Sequence, residues 1–314
     1  MTRRSLFLAI ACLAACRAAE PIPFDALAAQ FRYDPSASLD IHRTADQETR
    51  SGVHVTTLSY EGLHGPVSAS LVLPSQPGKH AVVIFLHGLA NKRDEFLAEA
   101  ILLAQASPPA VSLLIDAPPS RPVGWRRSWD PSGGDNDRNI HIQAVVDIRR
   151  GLDLLAARPD VDASRVGYVG HGYGANWGAV LMSIEPRLHA FSLIAGIVSL
   201  ADVMRDDDPE WADLRYALGN QRYLAYLDSI SLVDPIRYLG HSLGAPALFQ
   251  FGRFDPYVSP EMAQRFAAAT HPQPKVLFYD AGNDVNAPQA LVDRDRFLSK
   301  HLGIGSIPGI GSAR

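Results

Sequence analysis

The chain has 314 residues, 47% of them apolar, and its 29 basic and 33 acidic residues leave a net charge of −4. That is enough apolar chain to bury a large core, as one α/β domain or two smaller ones. No run of basic residues exceeds a pair, so the electrostatic footprint of a nucleic-acid-binding protein is missing.

Residues 1–18 read MTRRSLFLAIACLAACRA: two arginines, an apolar run over 6–15, then small residues. This is the pattern of a secretory signal peptide, and it is too short for a comfortable transmembrane helix. Leu13-Ala14-Ala15-Cys16 resembles a bacterial lipobox, which would make Cys16 the lipidated first residue and the chain's contact with a membrane. Ordinary cleavage after Ala18, with Cys16 as a small residue at −3, is the other reading. Both cysteines, Cys12 and Cys16, fall in this segment. The remaining chain therefore has no disulfide, no thiolate nucleophile and no cysteine metal site.

Residues 19–50 are polar and proline-bearing, a lead-in with room for one short helix. Residues 53–60 and 67–74 read as two strands joined by a Gly-containing turn at 61–66, a hairpin. Residues 81–87 (AVVIFLH) are continuously apolar, as in a strand buried on both faces, and Gly88 ends them. A helix is predicted over 92–105 from the spacing of Phe96, Ala100, Leu103 and Ala104. A buried strand follows at 110–115. Residues 116–138 form a long irregular loop holding Trp125, Arg126, Arg127 and Trp129; such loops at strand ends often line a site. These four residues either line the mouth of a pocket or pack the loop onto the domain.

A helix is predicted over 140–157, and after it comes Arg165 to Glu185, RVGYVGHGYGANWGAVLMSIE. Residues 165–169 are a short apolar strand, Gly170, Gly172 and Gly174 alternate through a tight turn, and 175–184 have helical spacing until Pro186. Further on, 190–197 read as a strand, 200–239 as mostly helical, 246–252 as a strand, 260–269 as a helix, 276–280 as a strand and 287–302 as a final helix. Asn286 is the predicted N-cap of that helix, with Pro288 in its first turn. The Gly/Ser-rich tail from 303 is expected to fray. Repeated βα units after an antiparallel hairpin give a mostly parallel sheet with helices on both faces. Ligands bind such sheets at the carboxyl ends of the strands.

Strand, Gly-rich turn and helix are the setting of the nucleophile elbow, G-x-S-x-G. The segment here reads G-H-G-Y-G, with Gly172 where the elbow has serine. A phosphate-binding loop is the competing reading of such a turn, but the third glycine comes one residue too early for G-x-G-x-x-G and no Lys-Ser/Thr follows.

Five patterns carry a resemblance over residues 60–302: FLHG at 85–88, GHGYG at 170–174, FGRFDPYVSP at 251–260, YDAGND at 279–284, and the final helix. The chain resembles the α/β-hydrolases of the dienelactone hydrolase and acetyl-xylan-esterase-like group. The resemblance implies the α/β-hydrolase fold over 51–303, a mostly parallel twisted sheet with helices on both faces and a small helical cap at 200–239. It implies serine-esterase ancestry with a small-molecule ester or acylated-sugar ligand and no cofactor or metal, while the signal-peptide pattern of residues 1–18 makes the expected location periplasmic or extracellular. Asp255 matches the family's acid; its plainer reading is an Asp that caps a turn before Pro256. Gly172 stands at the nucleophile position and Asn283 at the histidine position, so two of three triad positions lack their reactive group. The oxyanion donors would be the backbone amides of Tyr173 and Leu89.

An amide has no basic nitrogen, so Asn283 can bond to Asp255 but cannot take a proton from an attacking group. The expectation is a catalytically impaired or inactive protein that keeps a ligand site. The alternative is an active hydrolase with another nucleophile, Ser242 or a water held by Asp255. Gly240-His241-Ser242-Leu243-Gly244 satisfies G-x-S-x-G, but a helix-like stretch precedes it and a strand follows it, the reverse of an elbow. His171 beside the elbow's centre is expected to be a packed, hydrogen-bonded histidine, as is His87 at a strand end. His141 opens a helix, and His241 and His271 read as loop residues without metal-ligand spacing.

Overall fold

The computed structural model describes residues 22–49, 51–128, 130–132, 134–205 and 209–307. The signal-peptide reading, Cys12, Cys16, Trp129 and the last seven residues of the tail lie outside the described residues.

A nine-stranded sheet forms the centre. Its strands are β1 (His42–Glu48), β2 (His54–Glu61), β3 (Pro66–Leu73), β4 (His80–Leu86), β5 (Ala110–Ile115), β6 (Val161–His171), β7 (Ala190–Ile194), β8 (Ala247–Gly252) and β9 (Lys275–Tyr279). Their order is β1-β2-β3-β5-β4-β6-β7-β8-β9. The first three are antiparallel to their neighbours, and β5 onward run parallel. The predicted hairpin closes with Tyr60 opposite Val67 and Glu61 opposite Pro66.

β4 and β5 are buried at every residue, as parallel strands covered on both faces must be. Side chains alternate between faces along a strand. Val82, Ile84 and Leu86 accordingly belong to one core cluster, and Ala81, Val83 and Phe85 to the other. The first cluster takes in α3 (Asn136–Ala156), α4 (Tyr173–Ile184) and α9 (Pro260–Ala268); the second takes in α2 (Leu97–Ala104) and α10 (Pro288–Leu302). Between β7 and β8 the chain is helical, as predicted: α5 (Leu200–Arg205), α6 (Pro209–Leu218), α7 (Asn220–Ser231) and α8 (Ile236–Leu239). Met204, Tyr223, Tyr226, Leu227 and Ile230 make a small core of their own there. Tyr226 and Ser229 of α7 donate to Asp137 and Asp135 at the start of α3, at 3.1 and 2.7 Å.

The lead-in holds the short helix α1 (Phe24–Ala29) and also β1, which the sequence does not announce. β1 reads HRTADQE and is exposed throughout, so it has no alternation of apolar and polar residues to reveal a strand. α3 starts at Asn136, four residues before the predicted 140, and β6 begins at Val161, through an exposed and irregularly paired stretch.

The N-cap of α10 is Ala287, not Asn286. Pro288 occupies the first helical position with its φ preset and no N–H to satisfy, which removes one need for a capping side chain. The backbone N–H of Asn286 donates instead to Asp284 Oδ1 at 3.3 Å. The chain just past α10 also differs from the frayed tail expected. Ile304 and Ile307 are buried in the second cluster, and Ile307 N donates to Asp295 Oδ1 at 3.1 Å.

Candidate functional site

Residues 170–174 join β6 to α4. Gly172 has φ +48° and ψ −105°, a conformation costly for any residue with a Cβ. Its N–H donates to Ile194 O at 2.8 Å, and its carbonyl accepts from Asn176 N at 3.0 Å. A Cβ on Gly170 would stand 2.4 Å from Gly174 O, and one on Gly174 would stand 2.1 Å from Leu86 O. At Gly172 the nearest atom would be Gly88 Cα, at 3.8 Å. The two outer glycines are thus forced by close approach of backbone, while the central position has room for a side chain and carries none.

The loops after β8 and β9 lie against each other. Arg253 N donates to Tyr279 O at 2.8 Å and Phe254 N to Ala281 O at 3.0 Å. A Cβ on Gly252 would meet Gly282 O at 2.1 Å, so only glycine permits this approach. Asp255 and Asn283 meet as a result: Asn283 Nδ2 donates to Asp255 Oδ2 at 2.9 Å. The other carboxylate oxygen, Oδ1, accepts from Tyr257 N at 2.8 Å and Val258 N at 3.1 Å. Asp255 therefore uses its two oxygens differently. It caps its own turn with one oxygen and orients residue 283 with the other.

His171, beside the elbow's centre, joins the remaining pieces. Its Nε2 bonds to the backbone carbonyl of Asn283 at 3.0 Å, and its Nδ1 to Glu95 Oε1 at 2.5 Å. Both partners are acceptors, so the ring donates from both nitrogens and is an imidazolium. Burial alone would lower the His171 pKa, but the Glu95 hydrogen bond and charge, with the Asn283 carbonyl, raise it. Burial would likewise raise Glu95, and its contacts with His171 and the Gly88 N–H hold it low. Glu95 Oε2 accepts that N–H at 2.8 Å. One ion pair thus ties together the loop after β4, the elbow and the loop after β9. Glu95 was not singled out from the sequence. It sits in a 3₁₀ turn (Arg93–Phe96), and nothing in that turn's residue types sets it apart from an exposed helix-start carboxylate.

The amide N–H groups of Leu89 and Tyr173 make no backbone hydrogen bond among the described residues. Tyr173 opens α4, where no intrahelical acceptor exists for it. Its side chain is buried, with the hydroxyl 3.2 Å from His141 Nδ1. His141 stacks on Trp177 at 4.6 Å, and burial pulls its pKa down to about 3. His87 is neutral by geometry. Its Nε2 accepts from Ala117 N at 2.9 Å, which leaves Nδ1 to donate to Gly88 O at 2.7 Å, and burial lowers its pKa.

The loop after β5 is fastened to α3 by several side chains: Arg121 donates to Asp147 Oδ2 at 2.5 Å and Asp130 N to Asp137 Oδ1 at 2.7 Å. Gln143 accepts from Arg127 N at 3.1 Å and donates to the Trp125 carbonyl at 3.3 Å. Arg126 donates to the Arg127 carbonyl at 3.3 Å. Ser242 lies in the connection from α8 to the start of β8, at the sheet's amino edge, whereas Asp255 follows that strand's carboxyl end. Its hydroxyl accepts from Gly244 N at 3.4 Å, and the neighbouring His241 stacks on Phe24 at 4.0 Å. His271 is exposed. Among the described residues, no group of three or more His, Asp, Glu or Cys is placed to hold a metal ion, and no helix is long and apolar enough to cross a membrane.

No family model and no curated protein matches the chain. Solved structures do. An acetyl xylan esterase from Paenibacillus sp. R4 is 19% identical, with a TM-score of 0.71 over 88% of this chain and 92% of its own. Acetyl xylan esterase 1 from Thermoanaerobacterium sp. JW/SL YS485 is 15% identical, with a TM-score of 0.70 over 88% and 93%. A putative dienelactone hydrolase from Klebsiella pneumoniae is 14% identical, with a TM-score of 0.59 over 80% and 98%. With its mostly parallel nine-stranded sheet and flanking helices, the chain has the α/β-hydrolase fold, in the form shared by these esterase-like structures.

Proposed function

We propose that this is an exported protein of carboxylic-ester hydrolase ancestry whose cleavage machinery is disarmed, leaving a ligand-binding site at the elbow. The observation that carries the reading is the Asn283–Asp255 hydrogen bond. Asp255 orients a side chain at the place where a triad acid orients histidine, but that side chain has no nitrogen able to take a proton. Gly172 supports it from the other side, since the elbow conformation is kept and the attacking atom is absent. In a triad hydrolase, losing the nucleophile or the base costs roughly a million-fold in turnover, and losing both costs little more.

The Leu89 and Tyr173 amides would still polarise the carbonyl of a bound ester or acylated sugar. Residues 1–18 supply the export signal in this reading, with Cys16 as the lipid attachment point. Localisation is then periplasmic or extracellular. Ser242 is not the nucleophile in this reading, because it stands at the opposite edge of the sheet from Asp255.

The test is Gly172→Ser combined with Asn283→His, assayed on 4-nitrophenyl acetate. The parent chain is expected at or near background, each single variant close to it, and the double variant well above. A double variant that folds yet stays inactive would show that residues 172 and 283 are not the nucleophile and base positions. Saturable, enzyme-like hydrolysis by the parent chain would show that it is not disarmed.

A further inference from the structure

A concave cleft of about 430 Å³ lies at the amino edge of the sheet, away from the elbow, where β8 and β9 begin beside the last turns of α10. Three cations line it: Lys275 at the start of β9, and Arg296 and Lys300 on α10. Among the described residues none of them has a carboxylate within 4.0 Å. Arg296 and Lys300 are four apart on one helix, where like charges repel. The cleft's one acid, Asp293, accepts a hydrogen bond from Tyr279 OH at 3.2 Å. The result is a local positive excess in a hollow on a chain of net charge −4, which draws anions in.

Plainer roles cover parts of this. Lys300 and His301 suit the negative end of a helix dipole, and Lys275 suits an edge strand, where a charge discourages strand addition. Neither role needs Arg296, and neither needs cations from two elements to face one hollow. The two lysines are compact point charges, the form in which lysine commonly binds phosphate, and Arg296 adds a planar fork that can hold two phosphoryl oxygens at once. The Phe297 and His301 rings, 4.7 Å apart, give the same cleft an aromatic wall.

We propose that this cleft binds a phosphate monoester, with Lys275, Arg296 and Lys300 around the phosphoryl oxygens and the Phe297–His301 wall against the body that carries it. The ligand is either a soluble phosphomonoester or the headgroup of an anionic lipid of the same chemistry. The proposal does not depend on the elbow being disarmed.

The probe is phenyl phosphate, titrated into the full chain at constant ionic strength and read by calorimetry and thermal shift, with benzoate and sodium sulfate as controls. Vesicles of phosphatidylcholine with phosphatidic acid are tested by co-sedimentation. Saturable binding of phenyl phosphate, at least tenfold weaker in Arg296→Ala/Lys300→Ala and in Lys275→Ala, is the expected result. Vesicle binding lost in the same variants identifies the lipid source and also supports the assignment. Binding of neither probe, undiminished binding in both variants, or equal binding of benzoate or sulfate overturns it. Lys275, Arg296 and Lys300 are exposed, and Lys275→Ala alters a different element from the double variant, so a folding defect in one leaves the other to decide.

Discussion

His171 donates through Nε2 to the backbone carbonyl of Asn283 at 3.0 Å, so the residue beside Gly172 holds the loop after β9 that carries Asn283. Its other nitrogen is held by Glu95, which also takes the Gly88 N–H. Three loops from three strands are therefore fixed by one side chain. His171→Ala would leave the Asn283 carbonyl and the Glu95 carboxylate without that donor. The expected loss is about 1–3 kcal/mol, the usual cost of orphaning a largely buried hydrogen-bonding partner. His171→Gln, whose amide can still donate to one acceptor, should recover part of it. Urea unfolding of the three proteins checks this, and equal stability in all three would refute the tether.

The same pair predicts a pH profile. The His171 pKa is raised from its ordinary 6.5, so its contribution is fully present below that value and fades as pH rises through the folded pKa. The Glu95 pKa is lowered from its ordinary 4.5, so its contribution is fully present above that value and fades as pH falls through the folded pKa. Both are complete only between pH 4.5 and 6.5. The stability difference between the parent chain and His171→Ala should be largest in that window and shrink on either side. A difference that keeps growing into alkaline pH would contradict the imidazolium assignment.

The parallel core, the tight glycine turn at 170–174 and the loops that carry Asp255 and Asn283 could be read from the sequence because each has a local signature. Fully buried strands such as β4 are continuous apolar runs, and glycines forced by backbone contact recur at fixed spacing. What could not be read depends on partners distant in the chain. β1 is a strand only because β2 pairs with it, from His42 opposite Ser59 to Glu48 opposite His54. Glu95 is a site residue only because His171, 76 positions away, points at it. Asn286 is of a residue type that favours caps, yet Pro288 decides where α10 begins.

Arg294 is buried in the middle of α10 and bonds to Glu99 twice, Nε to Oε1 at 2.8 Å and Nη2 to Oε2 at 2.6 Å, with Nη1 on Gln250 Oε1 at 2.8 Å. This pair clamps α10 to α2 across the second core cluster. Removing one partner from a buried pair leaves an uncompensated charge, so Glu99→Ala is expected to cost about 3–5 kcal/mol. The double variant Glu99→Leu/Arg294→Met, which removes both charges and keeps the volume, should be far less damaging. Denaturant midpoints compare the two, and a Glu99→Ala protein as stable as the parent would mean that Arg294 is solvated after all.

The three elbow glycines should respond to alanine in opposite ways. At Gly174 the added methyl would overlap the Leu86 carbonyl, and at Gly170 it would overlap the Gly174 carbonyl. Neither neighbour can retreat, because Leu86 is the last residue of a fully buried strand and Gly174 is in the first turn of a packed helix. Both variants should fail to fold or lose several kcal/mol, as overpacking against backbone does. Gly172→Ala meets nothing closer than 3.8 Å, so its cost is conformational strain alone, about 1–3 kcal/mol for a positive φ. A folded Gly172→Ala beside collapsed Gly170→Ala and Gly174→Ala would locate the one place in the turn where a side chain can stand. The reverse order of damage would mean that the turn is not built as an elbow, and the re-arming experiment at residue 172 would lose its basis.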